Sequence, residues 1–312
     1  MDTTQADIAG GKGASLGEML NAGIPVPDGF VILSTTFETF LRGADLAKEI
    51  DDVLASVDLE SIGGIDVASG KIQGLIRSAE IPSDIANEIK ERFAGLGSEF
   101  VAVRSSATAE DGAEHAWAGQ LESYLNVTGD ILLEKVRDCW SSLFTPRAIF
   151  YRFEKGLRDT KISVAVVVQK MVDSEISGIA FSVHPVTEDR DQIIIEAGFG
   201  LGEAIVSGSV TPDGYVVGKA HRNIVDVNVN NQSKALYRKR GGGNEWKDLP
   251  ETAGSRQALT PDQILELSDI VVRIENHYGF PCDIEWAYAD GAFFVTQSRP
   301  ITTLNMMEIT GV

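Results

Sequence analysis

The chain has 312 residues, 43% hydrophobic and 23% charged, enough for about two folded domains or one large one with a sizeable core. With 27 Lys and Arg against 46 Asp and Glu its net charge is -19, which argues against a surface built as a whole for nucleic acid or anionic membrane, so any phosphate site has to be local. No apolar run reaches the ~18 residues of a membrane span, the N-terminus has neither a basic stretch nor an apolar core, and Cys139 and Cys282 lack a His or Cys neighbour at ligand spacing, which together point to a cytoplasmic protein with reduced, structural thiols.

Element types alternate along the chain without internal repeats, a mixed α and β pattern. The first third reads as mainly helical: 13–21 after a glycine cluster, 37–42 after the Ser34-Thr35-Thr36 capping run, and 83–93 with Ile85, Ile89 and Phe93 four apart. Arg104 then ends a short apolar strand, just before the hydroxyl residues of "SSAT", and a helical stretch covers 131–155. "ISVAVVVQKMV" is the β-branched run of a buried strand, and 179–183, 192–196 and 214–217 are further strands. In "TPDQILELSDIVVRIENHYG", Thr260 as N-cap, Pro261 and Gln263 make a capping box; Ile264, Leu267, Val271, Ile274 and Tyr278 form the stripe, and Gly279 ends the helix. "CDIEWAYADGAFFVTQSRP" closes the series as a hairpin joined at Ala289-Asp290-Gly291.

Several of these stretches carry chemistry. A buried strand has little use for a guanidinium, whereas its five fixed donors match phosphate oxygens, so Arg104 marks a candidate phosphate contact. "AGGKGASLGEML" sets Gly10, Gly11, Lys12 and Gly13 at a helix N-terminus, where free N–H groups and the helix dipole favour an anion; a loop lysine beside a glycine turn is the plainer reading of those four residues alone. They are not a Walker A loop, because Ala6 stands where the first glycine is needed and Gly13 where Ser or Thr would bind metal. Gly119 in "AWAGQLESYLNV" suits a lid over phosphates. In "EAGFGLGEAIVSG" the glycines Gly198, Gly200 and Gly202 fall one residue short of the dinucleotide fingerprint, leaving a turn with close backbone packing. His115, His184, His221 and His277 show no metal spacing, and no nucleophile motif supports acyl chemistry.

The hairpin depends on its register, because a two-residue Asp290-Gly291 turn and a three-residue loop ending in Gly291 turn the second strand to opposite faces. With the three-residue loop, Asp283 falls opposite Gln297, and Asp283, Glu285, Gln297 and Arg299 share one face. Two carboxylates, an amide oxygen and a guanidinium there would suit Mg²⁺ with a phosphate bridging it to the arginine. An edge hairpin with a solvated polar face fits the same alternation.

Taken in order, "GGKGASLGEM" with "IPVPDGF", "FVAVRSSATAED" with "WAGQLESYLNV", "WSSLFTPRAIFYR", "VVVQKMV", "GFGLGEAIVSGSVTPD" and "DIEW" with "QSRPITT" resemble the N-terminal nucleotide-binding domain shared by phosphoenolpyruvate synthase, pyruvate phosphate dikinase and rifampicin phosphotransferase. The blocks span residues 10–303. The resemblance implies an α+β, ATP-grasp fold whose two lobes, 1–168 and 169–312, enclose ATP. By position Lys12 and Arg104 meet phosphate oxygens, and Gly119 with Ser123 belong to the loop covering them. Gln169, Lys170 and Met171 form the strand whose backbone recognises adenine. Glu285 and Gln297 hold Mg²⁺, Arg299 acts on the transferred phosphoryl group and Asp283 supports the site. The resemblance also selects the three-residue hairpin loop.

The activity so implied is that of an ATP-dependent phosphotransferase half-enzyme of the phosphoenolpyruvate synthase type, passing phosphate from Mg-ATP to a histidine on a separate carrier domain. The ATP-binding part of a rifampicin phosphotransferase is the second reading and a non-catalytic nucleotide-sensing subunit the third. None of the four histidines lies in the small-residue context of the carrier site, and the chain stops at Val312 without carrier or acceptor domain. The expectation is therefore a fragment, or a subunit that needs a partner.

Overall fold

The computed structural model describes residues 2–57, 63–108, 122–157, 162–301 and 304. By its internal contacts the chain divides into two compact units: Met1–Glu18, Asp28–Met171 and Gly241–Gly243 form one, and Met19–Pro27, Val172–Arg240 and Asn244–Val312 the other.

In the first unit, α1 (Ala6–Asn21) is interrupted at Gly10, whose φ of 66° is not helical. The short strand β1 (Gly29–Ile32) leads into α2 (Ser34–Gly43), α3 (Ala47–Ala55), α4 (Gly64–Ser78) and α5 (Ser83–Leu96). Then come β2 (Val101–Thr108), β3 (Ser123–Val127), α6 (Leu132–Ser141), α7 (Pro146–Glu154) and β4 (Ser163–Lys170). The expected helix over 131–155 is in fact two helices with a 3-10 turn at Ser142–Phe144 between them. Pro146 cannot continue a helix but can start one, and Thr145 caps the new start by accepting from the Ala148 N–H.

The strands pair antiparallel in the order β1-β4-β2-β3. Alternation divides the side chains between two faces. Val101, Val103, Val164, Val166 and Val168 turn into a core with Phe37, Phe40, Ile72, Ile76 and Trp140, where Phe40 stacks on Trp140 at 4.7 Å. Arg104, Ser106, Val167 and Gln169 turn to the other face.

Strand β2 is longer than expected. Ser105 to Thr108 stay in register with Val166 to Ser163 of β4, so Arg104 lies in the middle of the strand instead of at its end. The hydroxyls that suggested a loop are satisfied inside: Ser105 Oγ lies 3.0 Å from Ser142 Oγ, and Thr108 Oγ1 donates to the Ser163 carbonyl at 3.1 Å.

The second unit is built on the strands β5 (Ile176–Phe181) and β6 (Gln192–Phe199), the short α8 (Glu203–Val206), and the strands β7 (Asp213–Gly218) and β8 (Asn223–Asn228). After them follow the ribbon of β9 (Lys234–Arg238) and β10 (Asn244–Asp248), then α9 (Glu251–Gly254), α10 (Pro261–Tyr278), and the hairpin β11 (Cys282–Ala289) and β12 (Ala292–Pro300). Six strands form an antiparallel sheet in the order β12-β11-β5-β6-β7-β8. Helix α10 has the expected capping box, with the Thr260 N–H donating to Gln263 Oε1 at 2.8 Å, and Gly279 ends it at φ 76°. Its stripe of Ile264, Leu267, Val271 and Ile274 is fully buried, as are Ile193, Ile195 and Ile284 of the sheet. Helices and antiparallel sheets make the chain α+β. Among the described residues no helix is long and apolar enough to cross a membrane.

Candidate functional site

In the first unit, the glycine cluster forms a tight junction. A Cβ on Gly10 would lie 2.1 Å from Ser106 Oγ, so only glycine lets the helix break pass so close to β2. The break starts a new helical run at which Lys12 Nζ donates to the Ser105 carbonyl at 2.9 Å and the Gly13 N–H reaches Ser106 Oγ at 3.4 Å. Lys12 is thereby tied next to Arg104, which is only 8% exposed and pairs in register with Ser123 of β3 and Val167 of β4. Gln169, 3% exposed, shares that sheet face. A lysine, a buried guanidinium and the start of a helical run brought to one strand suit an anion.

Lys170 ends β4 and forms an ion pair with Asp28 at 2.9 Å. Its backbone N–H donates to the Asp28 carbonyl at 2.7 Å, and the Met171 N–H donates to the Phe100 carbonyl at 3.1 Å. Of the Gln169–Met171 backbone expected to recognise adenine, the Lys170 and Met171 amides thus have protein acceptors. Gly119 lies outside the described residues.

In the second unit the hairpin corrects the expected loop. Its turn has two residues, Asp290 and Gly291, at φ 51° and 78°, which is the geometry that follows the twist of a hairpin. Tyr288 accordingly faces Phe293. A register shift between Glu285 and Trp286 then takes up Thr296 as an extra residue. Beyond it Glu285 stands opposite Gln297, and Asp283 opposite Arg299 instead of Gln297. The four polar residues share one face after all, because the bulge restores the facing that the shorter turn would have reversed.

On that face Arg299 donates through Nε to Asp283 Oδ2 at 2.8 Å, and its Nη2 lies 2.7 Å from the same oxygen. Burial pushes the Asp283 carboxyl above the usual carboxylate range; Arg299 opposes the rise and Glu285 adds to it. A residue that sequence reasoning passed over joins them. Glu196 of β6 is in register with Ile179, and Ile179 with Glu285. Burial, and then the Asp283 charge, push its carboxyl up as well. Its only sequence signal was one acid in the isoleucine-rich strand "QIIIEAGF". Among the described residues no group of three or more His, Cys, Asp or Glu side chains is gathered to hold a metal ion by itself. The paired Glu285 and Gln297 nevertheless offer the hard oxygen donors that Mg²⁺ prefers, and fit such an ion if further ligands come from phosphate and water.

The sequence profile described as "Pyruvate phosphate dikinase, AMP/ATP-binding domain" matches residues 6–309. A probable phosphoenolpyruvate synthase of Archaeoglobus fulgidus is 48% identical over 97% of this chain and 41% of its own length. One from Methanocaldococcus jannaschii is 44% identical over 97% of this chain and 26% of its own length. The rifampicin phosphotransferase of Bacillus subtilis is 39% identical over 97% of this chain and 35% of its own length. The chain therefore spans less than half the length of these relatives. Since the match runs through both units, the chain belongs to the family of the pyruvate phosphate dikinase AMP/ATP-binding domain.

Proposed function

We propose that this chain is the ATP-using, ATP-grasp part of a phosphoenolpyruvate synthase type of enzyme, cytoplasmic, which moves phosphate from Mg-ATP to a histidine on a carrier domain in the same or another chain. The observation that supports this reading is the double register pair on β11 and β12, Glu285 with Gln297 and Asp283 with Arg299, which brings oxygen donors of the kind Mg²⁺ takes beside a guanidinium that suits phosphate. In this reading Lys12 and Arg104 neutralise phosphate oxygens, with Gly119 in the covering loop and Ser123 beside Arg104 as the first residue of β3, a strand position and not the loop position expected for it. The segment of Gln169, Lys170 and Met171 lies along the adenine, contacting it through groups other than the two engaged amides.

Glu285 and Gln297 would hold Mg²⁺, which when bound supplies charge neutralisation between neighbouring phosphates. Asp283 fixes the Arg299 guanidinium through one oxygen and so aims it at the phosphoryl group that departs. Such a site works by positioning and charge, and contributes no nucleophile of its own. Specificity for pyruvate or a rifamycin would reside elsewhere in the longer relatives, and the higher identity to the synthases favours the first. A purely sensing subunit would have no need of the Asp283–Arg299 clamp.

The test is to mix the chain with a carrier domain of a related enzyme and ATP labelled at the β or γ position. Transfer gives an acid-labile, base-stable phosphohistidine and identifies the phosphate that moves, while the chain alone consumes ATP hardly at all. Brisk hydrolysis without transfer to any carrier would reject the relay.

A further inference from the structure

The face that carries the register pairs extends beyond the hairpin. One cross-strand row runs Gln297, Glu285, Ile179, Glu196 and Gly214, through β12, β11, β5, β6 and β7; the row beside it runs Arg299, Asp283, Phe181, Ile194 and Val216. Directly paired residues project to the same side, so Glu196 is a further carboxylate of this face, separated from Glu285 by Ile179, with Asp226 of β8 farther out beyond Val216.

Its surroundings do not explain it. Ile193 and Ile195 of the same strand are fully buried on the opposite face, where they pack towards α10, whereas Glu196 is partly buried on the acidic one. Among the described residues its carboxylate has no hydrogen bond and no ion pair, in contrast to Asp283, which Arg299 neutralises. On its far side stands Gly214, above which a Cβ would meet nothing within 4 Å, so β7 offers no side chain to cover it. The Asp283 charge works against its ionised form, after burial itself. A half-buried carboxylate that is repelled by Asp283 and has no cation partner among the described residues is a cost to the fold, which an arriving cation would remove.

We propose that Glu196 is a positioning residue of the metal end of this site, accepting hydrogen bonds from water ligands of a divalent cation held by Glu285 and Gln297. The inference rests on the metal reading given above. Direct ligation is disfavoured because Ile179 occupies the row between the two glutamates, roughly 10 Å apart at their Cα atoms by the spacing of two strands. A magnesium ion keeps several of its waters, and those waters need acceptors on the side away from the phosphates. Glu196 is the acceptor that the sheet register supplies.

Calorimetric titration of the chain with ATP, with and without Mg²⁺, tests this in Glu196→Gln and Glu285→Gln, with thermal melts alongside. Glu196→Gln is expected to weaken Mg-ATP binding about 10-fold or more, in the range found when the outer partners of a metal site are lost. Metal-free ATP should bind at least as tightly as to the wild type, and the ligand-free melt should not fall, because a repelled negative charge has gone. Equal Mg-ATP affinity in Glu196→Gln and wild type, while Glu285→Gln is impaired, would overturn this inference alone. Weakening with and without metal to the same extent would make Glu196 structural and also overturn it. Should Glu285→Gln leave the Mg²⁺ dependence intact, the metal reading fails and this inference with it.

Discussion

The two polar faces treat their charged groups in opposite ways. In the four-stranded sheet Arg104 and Gln169 are 8% and 3% exposed, so the guanidinium is part of the packing. On β11 and β12 the Asp283–Arg299 pair stands on a partly open face, where the Arg299 side chain is 53% exposed. Burial thus decides what a substitution reads. In the first place it tests fold and site together; in the second it tests charge and little else.

Four experiments break or sharpen that contrast. The largest expected effect on stability lies at Asp213, a fully buried carboxylate on the α10 side of the second unit's sheet. It accepts from Tyr215 Oη at 2.9 Å, the Ala258 N–H at 2.7 Å and the Asn230 N–H at 3.0 Å. Asp213→Ala leaves three donors without an acceptor and should cost roughly 3–9 kcal/mol, at about 1–3 kcal/mol for each unsatisfied buried group. Urea denaturation measures it, and a cost below 1 kcal/mol would show that burial is not the deciding variable.

Arg299→Ala comes next. Its expected loss is about 10²–10³-fold in single-turnover transfer to a supplied carrier, as for removal of one electrostatic donor, with a stability loss of only about 1 kcal/mol, from the Asp283 carboxylate that is left without its partner. A melt lowered as far as that of Asp213→Ala would place Arg299 in the packing and erase the contrast.

Arg104→Ala should show both effects, with weaker ATP binding and a stability loss of about 2 kcal/mol, because a buried guanidinium takes its packed stem and its hydrogen bonds with it. A wild-type melt combined with lost ATP binding would mean that Arg104 serves the ligand alone.

The smallest effect concerns Cys139 and Cys282, both fully buried. Burial pushes each thiol up to about 12, against the opposing hydrogen bond from Ser105 at Cys139 and from Ser298 at Cys282. At pH 8 neither forms thiolate, so a disulfide reagent should titrate none in the native chain and both in urea. Rapid native labelling of Cys282 alone would show that the sheet of the second unit opens more readily than its burial indicates.

Much of this architecture was legible in local pattern. Helix α10 declared itself by capping box, stripe and terminal glycine, and β4 by its run of valines. Helix α4 did not, since Gly64, Gly70 and Gly74 lower its propensity and only tertiary burial of Ala68, Ile72 and Ile76 holds it. The four-residue β1 and the exposed β8 offered too little pattern to read.

The site divides along the same line. The sequence by itself determined which residue types were present and, through the period of two, that Asp283 and Glu285 share a face, as do Gln297 and Arg299. Whether the two pairs share the same face was decided by a two-residue turn and a bulge at Thr296, whose effects on facing cancel and whose position depends on what the strands pack against. Strand β2 continued through "SSAT" because β4 and the Ser142 hydroxyl were there to satisfy it. Glu196 met Glu285 only through two strand pairings, between positions 89 residues apart in the chain. Local sequence sets conformation and facing within one element; which elements become neighbours is set by burying their faces together, and that selection brought the carboxylates into one row.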